Sequence, residues 1–370
     1  NITGFGTDHA NELYVIDEVS GLHRLEPNDV SAVPSKPFPT KLSQTGLYRS
    51  VSDNGPHEAA VAFDVVAPQW ADGASMSRFV ILPGQEKILK QPQQNAGGSW
   101  TLPDGSVLVQ TLSLPRPGGK EGKTERRIET RLLVKQQKEW AGYSYRWNDE
   151  QTDAELVPAG GASEEIEVAE QGGGVREQVW RFPARTECLT CHSRAAGYLL
   201  GFSPLQLDRD FPAGHGAGGN QLQTLEASGF FEDEAHEGGN PRRRRRGGAG
   251  LKLVNPYEAT APVEDRARSY LHVNCSVCHV EAGGGNSKIN LSRFVSLPET
   301  GLVGREPIHD HFNLPSAKLI APGSPDQSVL MQRLSRRGTG QMPPLVTTEV
   351  DQAAVSLISQ WIKEMARPEQ

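Results

Sequence analysis

The feature that most constrains this chain is a pentapeptide pattern that occurs twice, as Cys188-Leu189-Thr190-Cys191-His192 and as Cys275-Ser276-Val277-Cys278-His279. The two units use all 4 cysteines of the 370-residue chain, so none is left for a separate disulfide. Cys-x-x-Cys-His reads as a c-type haem attachment. The spacing follows from the chemistry. Two thiols add to the two vinyl groups of one porphyrin, and the next residue, a histidine, ligates the iron from the proximal side. The sequence therefore predicts two covalently attached haem c groups, bound through Cys188, Cys191, Cys275 and Cys278, with His192 and His279 on the irons. Two other chemistries use paired cysteines. A compact zinc ribbon spaces its pairs by ~15–20 residues, far less than separates these two. A thioredoxin-like dithiol sits in a βαβ pattern, which this sequence lacks. Neither explains a histidine after both pairs.

In bacteria such attachment is made outside the cytoplasmic membrane, so the expected location is periplasmic. The chain opens on Asn1 with no signal peptide in view, which reads as a processed chain or one cut from a longer precursor. The net charge of −7 argues against a nucleic-acid partner, which needs a basic face. No stretch approaches the ~20 apolar residues of a membrane span, so no transmembrane segment is expected.

The length predicts two or three domains. With 39 glycines and 26 prolines, short strands and loops should be common. Residues 1–27 read as two short strands, Glu12–Asp17 and Leu22–Leu25, which cannot make a core alone. Residues 28–59 read as a linker wrapping the surface. Residues 60–183 read as a β domain of sandwich or barrel type, with strand-like runs at Ala60–Val66, Arg78–Leu82, Lys87–Lys90, Trp100–Leu102, Val107–Leu114, Arg127–Lys135, Tyr143–Trp147, Ile166–Ala169 and Val175–Phe182. Residues 184–260 hold the first Cys-x-x-Cys-His and a short helix over Asn220–Ser228. Five arginines, Arg242–Arg246, read as a solvated loop or a docking patch for an acidic partner. Residues 261–370 read as a small class-I-like cytochrome c domain. A helix over Pro262–Val273 enters the second motif. A terminal helix, capped by Thr348 with Asp351 at N3, carries the stripe Val350, Ala354, Leu357, Ile358, Trp361 and Met365. The predicted fold class is thus α+β and multidomain, a β-sandwich or barrel-like domain followed by helical c-type cytochrome domains.

A low-spin electron carrier needs a second axial ligand, usually Met or His. For the second haem, Met342 stands in Gln341-Met342-Pro343-Pro344-Leu345, where the prolines stiffen a loop just before the terminal helix. Met331 falls in a helix pattern and reads as core. For the first haem no Met-Pro loop follows. Candidates are Met76, in a polar turn before a strand, and His57, His215, His236 and His272; an open sixth site is the alternative.

Several blocks resemble a family of bacterial diheme c-type cytochromes. They are the run Ala184–Gly197 around the first motif, Arg126–Leu133 with Gly142–Asn148, Phe38-Pro39 with Leu42–Tyr48, and Tyr270-Leu271, Asn274-Cys275 and Ala321–Gly323 in the second haem region. The resemblance covers about residues 38–365. It departs at Met76, where the family more often has Lys. Residues 1–27, on Phe5–Asp8 with Glu12–Val15, resemble the last strands of a soluble sugar-dehydrogenase-type β-propeller. Some such propellers use pyrroloquinoline quinone. The resemblance implies a dehydrogenase domain or protein as electron donor and a soluble or membrane-bound downstream acceptor. Electron transfer is the leading functional expectation. A diheme oxidase or peroxidase with an open site on the first haem is the enzymatic alternative, and a haem-based gas sensor is the third.

Overall fold

The computed structural model describes residues 2–26, 37–90, 100–118, 124–170, 172–211, 218–233 and 251–365. The chain divides into two compact units, Asn1–Pro39 and Thr40–Gln370.

In the first unit β1 (Ile2–Thr7), β2 (Leu13–Asp17) and β3 (Gly21–Arg24) form one antiparallel sheet. Side chains set both turns. Asp8 Oδ1 accepts from the amides of Ala10 and Glu12, both at 2.9 Å. Asp17 Oδ1 accepts from Val19 N and Ser20 N. The sequence suggested two strands; β1 is the third. Its Gly4 and Gly6 interrupt the apolar alternation that marks a strand. The sheet has no buried core of its own, and Ile2, Phe5 and Leu22 are 63%, 64% and 66% exposed.

The second unit begins with the hairpin β4 (Tyr48–Ser50) and β5 (Gly55–Pro56). Next come β6 (Val61–Ala62), β7 (Ser75–Ile81), β8 (Ile88–Lys90), β9 (Trp100–Thr101), β10 (Val107–Pro115), β11 (Glu125–Gln136), β12 (Glu139–Trp147) and β13 (Ala154–Leu156). The hairpin β14 (Ala162–Ala169) and β15 (Val175–Phe182) leads into α1 (Arg185–Cys191), α2 (Pro204–Leu207) and α3 (Gln221–Ala227). After β16 (Phe231–Asp233) the described chain holds α4 (Val263–Asn274), α5 (Val329–Leu334) and α6 (Gln352–Glu364). Six strands make the largest sheet, in the order β13-β12-β11-β10-β7-β6. One of its faces carries an apolar cluster at each end. Val80 and Leu133 pack with Phe202, Leu207 and Trp100. Leu112 and Ile128 pack with Ile166, Val168, Trp180 and Phe182 of the β14–β15 hairpin. Between the clusters, Arg78, Gln110, Arg131 and Ser144 stand opposite one another across β7, β10, β11 and β12.

A separate core forms where α4, α5 and α6 meet. It is built from Ala267, Tyr270, Leu271, Met331, Leu334, Leu357, Ile358 and Trp361. Full burial of each large apolar side chain contributes about 1.5–3 kcal/mol. Asp351 caps α6 by accepting from Ala354 N at 3.0 Å. The helix therefore starts three residues later than a Thr348 cap implies. Thr348 is engaged elsewhere, its hydroxyl donating to Val179 O at 2.6 Å.

The structure corrects the predicted fold class. Sheet dominates, with 29% strand against 19% helix, in several small sheets, and no barrel closes among the described residues. The second half is not an arrangement of helical cytochrome domains. The six helices run from 4 to 13 residues. The physical reason lies between them. The apolar periodicity that marks α4 and α6 is separated by glycine- and proline-rich chain, such as Gly283–Gly285, that folds as turns rather than helix. The expected linker at 28–59 is also not simple surface: in its described part Leu42, Leu47 and Val51 are buried. The Arg242–Arg246 run lies outside the described residues.

Candidate cofactor site

The first pentapeptide sits on α1, which follows β15 directly. Glu187 holds its start, accepting from Ala184 N at 2.9 Å and pairing with Arg181 at 2.6 Å. The helix lies against β12 at Gly142. A Cβ there would stand 2.5 Å from Cys188 Cβ and 2.6 Å from Cys188 Sγ. Only a bare backbone lets the helix approach so closely.

The second pentapeptide ends α4. His279 N donates to Cys275 O at 2.9 Å, which winds the motif into a turn. Asn274 Oδ1 accepts from Trp70 N at 2.8 Å, tying the motif to the chain that precedes β7. Another glycine backs this motif: a Cβ on Gly285 would lie 2.5 Å from His279 Nδ1.

Both pentapeptides open onto one cavity of about 580 Å³. Cys188, Cys191, His192, Cys275, Cys278 and His279 all line it, and so do Met342 and Met76. The structure thus brings together the cysteines and histidines of both motifs with two of the candidate further ligands, Met342 and Met76. Its floor is the sheet face carrying Arg78, Gln110 and Arg131. Loop residues around Gly285 and the segment from Met342 to Thr347 complete it.

The two histidines are poised differently. His192 Nδ1 lies 2.5 Å from the carbonyl oxygen of Tyr198. A carbonyl only accepts, so Nδ1 carries the proton and Nε2 keeps its lone pair free for a metal. Burial pushes the pKa of His192 down and keeps the ring neutral. His279 is held down by burial and then by Arg333. Its Nδ1 is buried and has no hydrogen-bond partner. A buried nitrogen left unpaired is costly unless a ligand satisfies the ring.

The thiols are also coupled across the motifs. The Cys191 and Cys278 thiols interact with each other, which raises the pKa of the first and lowers that of the second. Burial raises Cys188 and pushes Cys275 up to about 12. Among the described residues no three His, Cys, Asp or Glu side chains converge to hold a metal ion. A structural zinc site needs such convergence. Paired thiols with a histidine beside each pair could hold a group attached through its sulfur atoms. A haem attached through each cysteine pair fits that description. Its residues would be Cys188, Cys191 and His192 for one group, and Cys275, Cys278, His279 and Met342 for the other.

The remaining candidates fall in distinct places. Met76 is not in a turn but inside β7, and its Sδ accepts from Arg78 Nη2 and Gln110 Nε2, both at 2.8 Å. His57 is exposed, and its Nδ1 accepts from Ala59 N. His272 lines a small neighbouring pocket and bonds around Ser276 and the Arg293 amide. Met331 is core. His215 and His236 lie outside the described residues. Sequence reasoning missed Arg78, Gln110, Arg131, Gly142 and Gly285. The glycine inside β12 was a readable signal, since glycine within a strand marks a close approach.

Comparison with protein-family models, curated proteins and solved structures gave no match. No helix among the described residues is long and apolar enough to cross a membrane.

Proposed function

We propose that this chain is a diheme c-type electron carrier. The observation that carries the reading is the single cavity lined by both Cys-x-x-Cys-His units together with Met342. Bound haem supplies one-electron chemistry at iron, tuned by axial ligand, burial and hydrogen bonding. The chain's own residues supply the rest. Four thiols anchor the groups, two neutral imidazoles offer nitrogen, and Met342 offers a thioether that favours the reduced metal. The attachment chemistry supports an exported, periplasmic location. The resemblance of residues 1–27 to a propeller end supports a dehydrogenase as donor.

The test is stoichiometry. Expressed in a host that attaches haem c, the chain should carry two haems per polypeptide by pyridine haemochrome and intact mass. Replacing Cys188 and Cys191 with Ser should leave one, and so should replacing Cys275 and Cys278. A wild-type chain that takes up none refutes the reading.

One observation favours a second reading, a diheme oxidase or peroxidase. The Met76 sulfur, a candidate ligand for the first haem, already accepts two hydrogen bonds, so it has no lone pair to spare. A high-spin haem that binds CO or reacts with peroxide would support this reading over simple transfer.

A further inference from the structure

The row that crosses the cavity floor is polar in an otherwise apolar face. Arg78 and Arg131 flank Gln110, each one strand away. Arg131 is fully engaged: its Nε and Nη2 donate to Glu129 at 2.9 and 2.8 Å. Glu129, 0% exposed, is further satisfied by Ser144 and Trp180.

Arg78 is not matched in this way. Its side chain is 8% exposed, and its carboxylate partner Asp64 lies 3.4 Å away. Asp64 is shared with Arg209, which sits closer at 2.8 Å. Asp64 therefore serves two guanidiniums at once. The other arm of Arg78, Nη2, donates to Met76 Sδ, and Gln110 Nε2 donates to the same sulfur. A thioether is a weak acceptor. Two strong donors on the cavity wall are thus spent on one poor partner, and Arg78 holds only a share of one carboxylate. Burial pushes the pKa of Arg78 down to about 10, so the guanidinium stays charged at neutral pH.

We propose that Arg78 Nη2 and Gln110 Nε2 form a carboxylate-binding subsite in this cavity. A planar guanidinium and a carboxamide side by side match the two oxygens of a carboxylate. Such a ligand replaces the sulfur as acceptor and gives Arg78 a carboxylate of its own. Two sources carry this chemistry, a propionate of a haem bound in the cavity and a free small carboxylate. The subsite rests on the protein geometry alone; only the propionate source rests on the diheme reading.

The test uses the full chain, with and without attached haem, and acetate as the probe. The variants are Arg78→Lys, which keeps charge but loses the fork, and Gln110→Leu. Acetate should raise the melting temperature of the haem-free chain saturably, and chloride at equal ionic strength should not. Each variant should weaken acetate by about tenfold or more, the loss of one charge-assisted hydrogen bond. If the source is a propionate, the haem-loaded chain ignores acetate. The pH at which its reduction potential bends then rises by about one unit in Arg78→Lys. If the source is a free carboxylate, the loaded chain still binds acetate and the variants weaken it. A haem-free chain that responds equally to acetate and chloride, or variants that match wild type, overturn the subsite. A chain that takes up no haem defeats the diheme reading while the acetate titration still decides the subsite.

Discussion

The sulfur of Cys278 lies 4.0 Å from the carbonyl oxygen of Thr190, a residue inside the other Cys-x-x-Cys-His. The two attachment motifs are far apart in sequence yet meet at their cysteines. α1 and the end of α4 are brought together by unrelated means, Gly142 on one side and the Trp70–Asn274 hydrogen bond on the other.

The first prediction concerns the haem-free chain. The Cys191 and Cys278 thiols lie close enough to shift each other's titration, so mild oxidation with diamide should join them. The two thiols lose two protons and two electrons, and diamide becomes the hydrazine. Peptide mapping should find the Cys191–Cys278 link. Recovery of only Cys188–Cys191 and Cys275–Cys278 pairs would contradict the arrangement.

If haem is attached as proposed, the same contact would bring the two attachment sites next to each other. The haems should then interact: a potentiometric titration should show two separated waves, and the EPR spectrum should show broadening that disappears when one haem is reduced. Two independent, unbroadened centres would mean that the cysteines part on loading.

Met342 can be tested alone. Met342→Ala should abolish a sulfur-to-iron charge-transfer band and lower one midpoint potential while leaving the other unchanged. A retained band excludes Met342 as a ligand.

A pH dependence follows from His272. Burial, with Arg293 and Arg268 adding, holds its pKa down at about 4, against about 6.5 in the unfolded chain. Between those values the unfolded chain binds the extra proton. Stability should therefore fall as pH drops from about 6.5 to about 4, by an amount on the order of 3 kcal/mol. His272→Gln should flatten that part of the stability curve. Equal slopes in the variant and wild type would rule His272 out as the source.

Much of this was legible in the sequence, for reasons that differ by element. The cysteine pairs need no fold to be recognised, because the chemistry sets their spacing. β10, β11 and β15 show in their apolar patterning, and α6 in its 3.6-residue stripe. The polar floor of the cavity was not legible. Arg78, Gln110 and Arg131 become neighbours only through strand register, which depends on pairing between distant segments. Met76 was misplaced for a related reason, since its short polar neighbours hid a strand that is stabilised from β10. The helical reading of the second half failed because a few correctly placed helices were taken to define a region most of which turns instead.

The glycines behind the two motifs carry a consequence for descent. Gly142 and Gly285 hold no ligand and donate nothing to the cavity, yet a single added carbon at either would overlap a cysteine or a histidine. Both should be inherited with the pentapeptides they serve. A homologue that keeps both Cys-x-x-Cys-His units but bears a side chain at either glycine must have re-seated the helix or loop beside it.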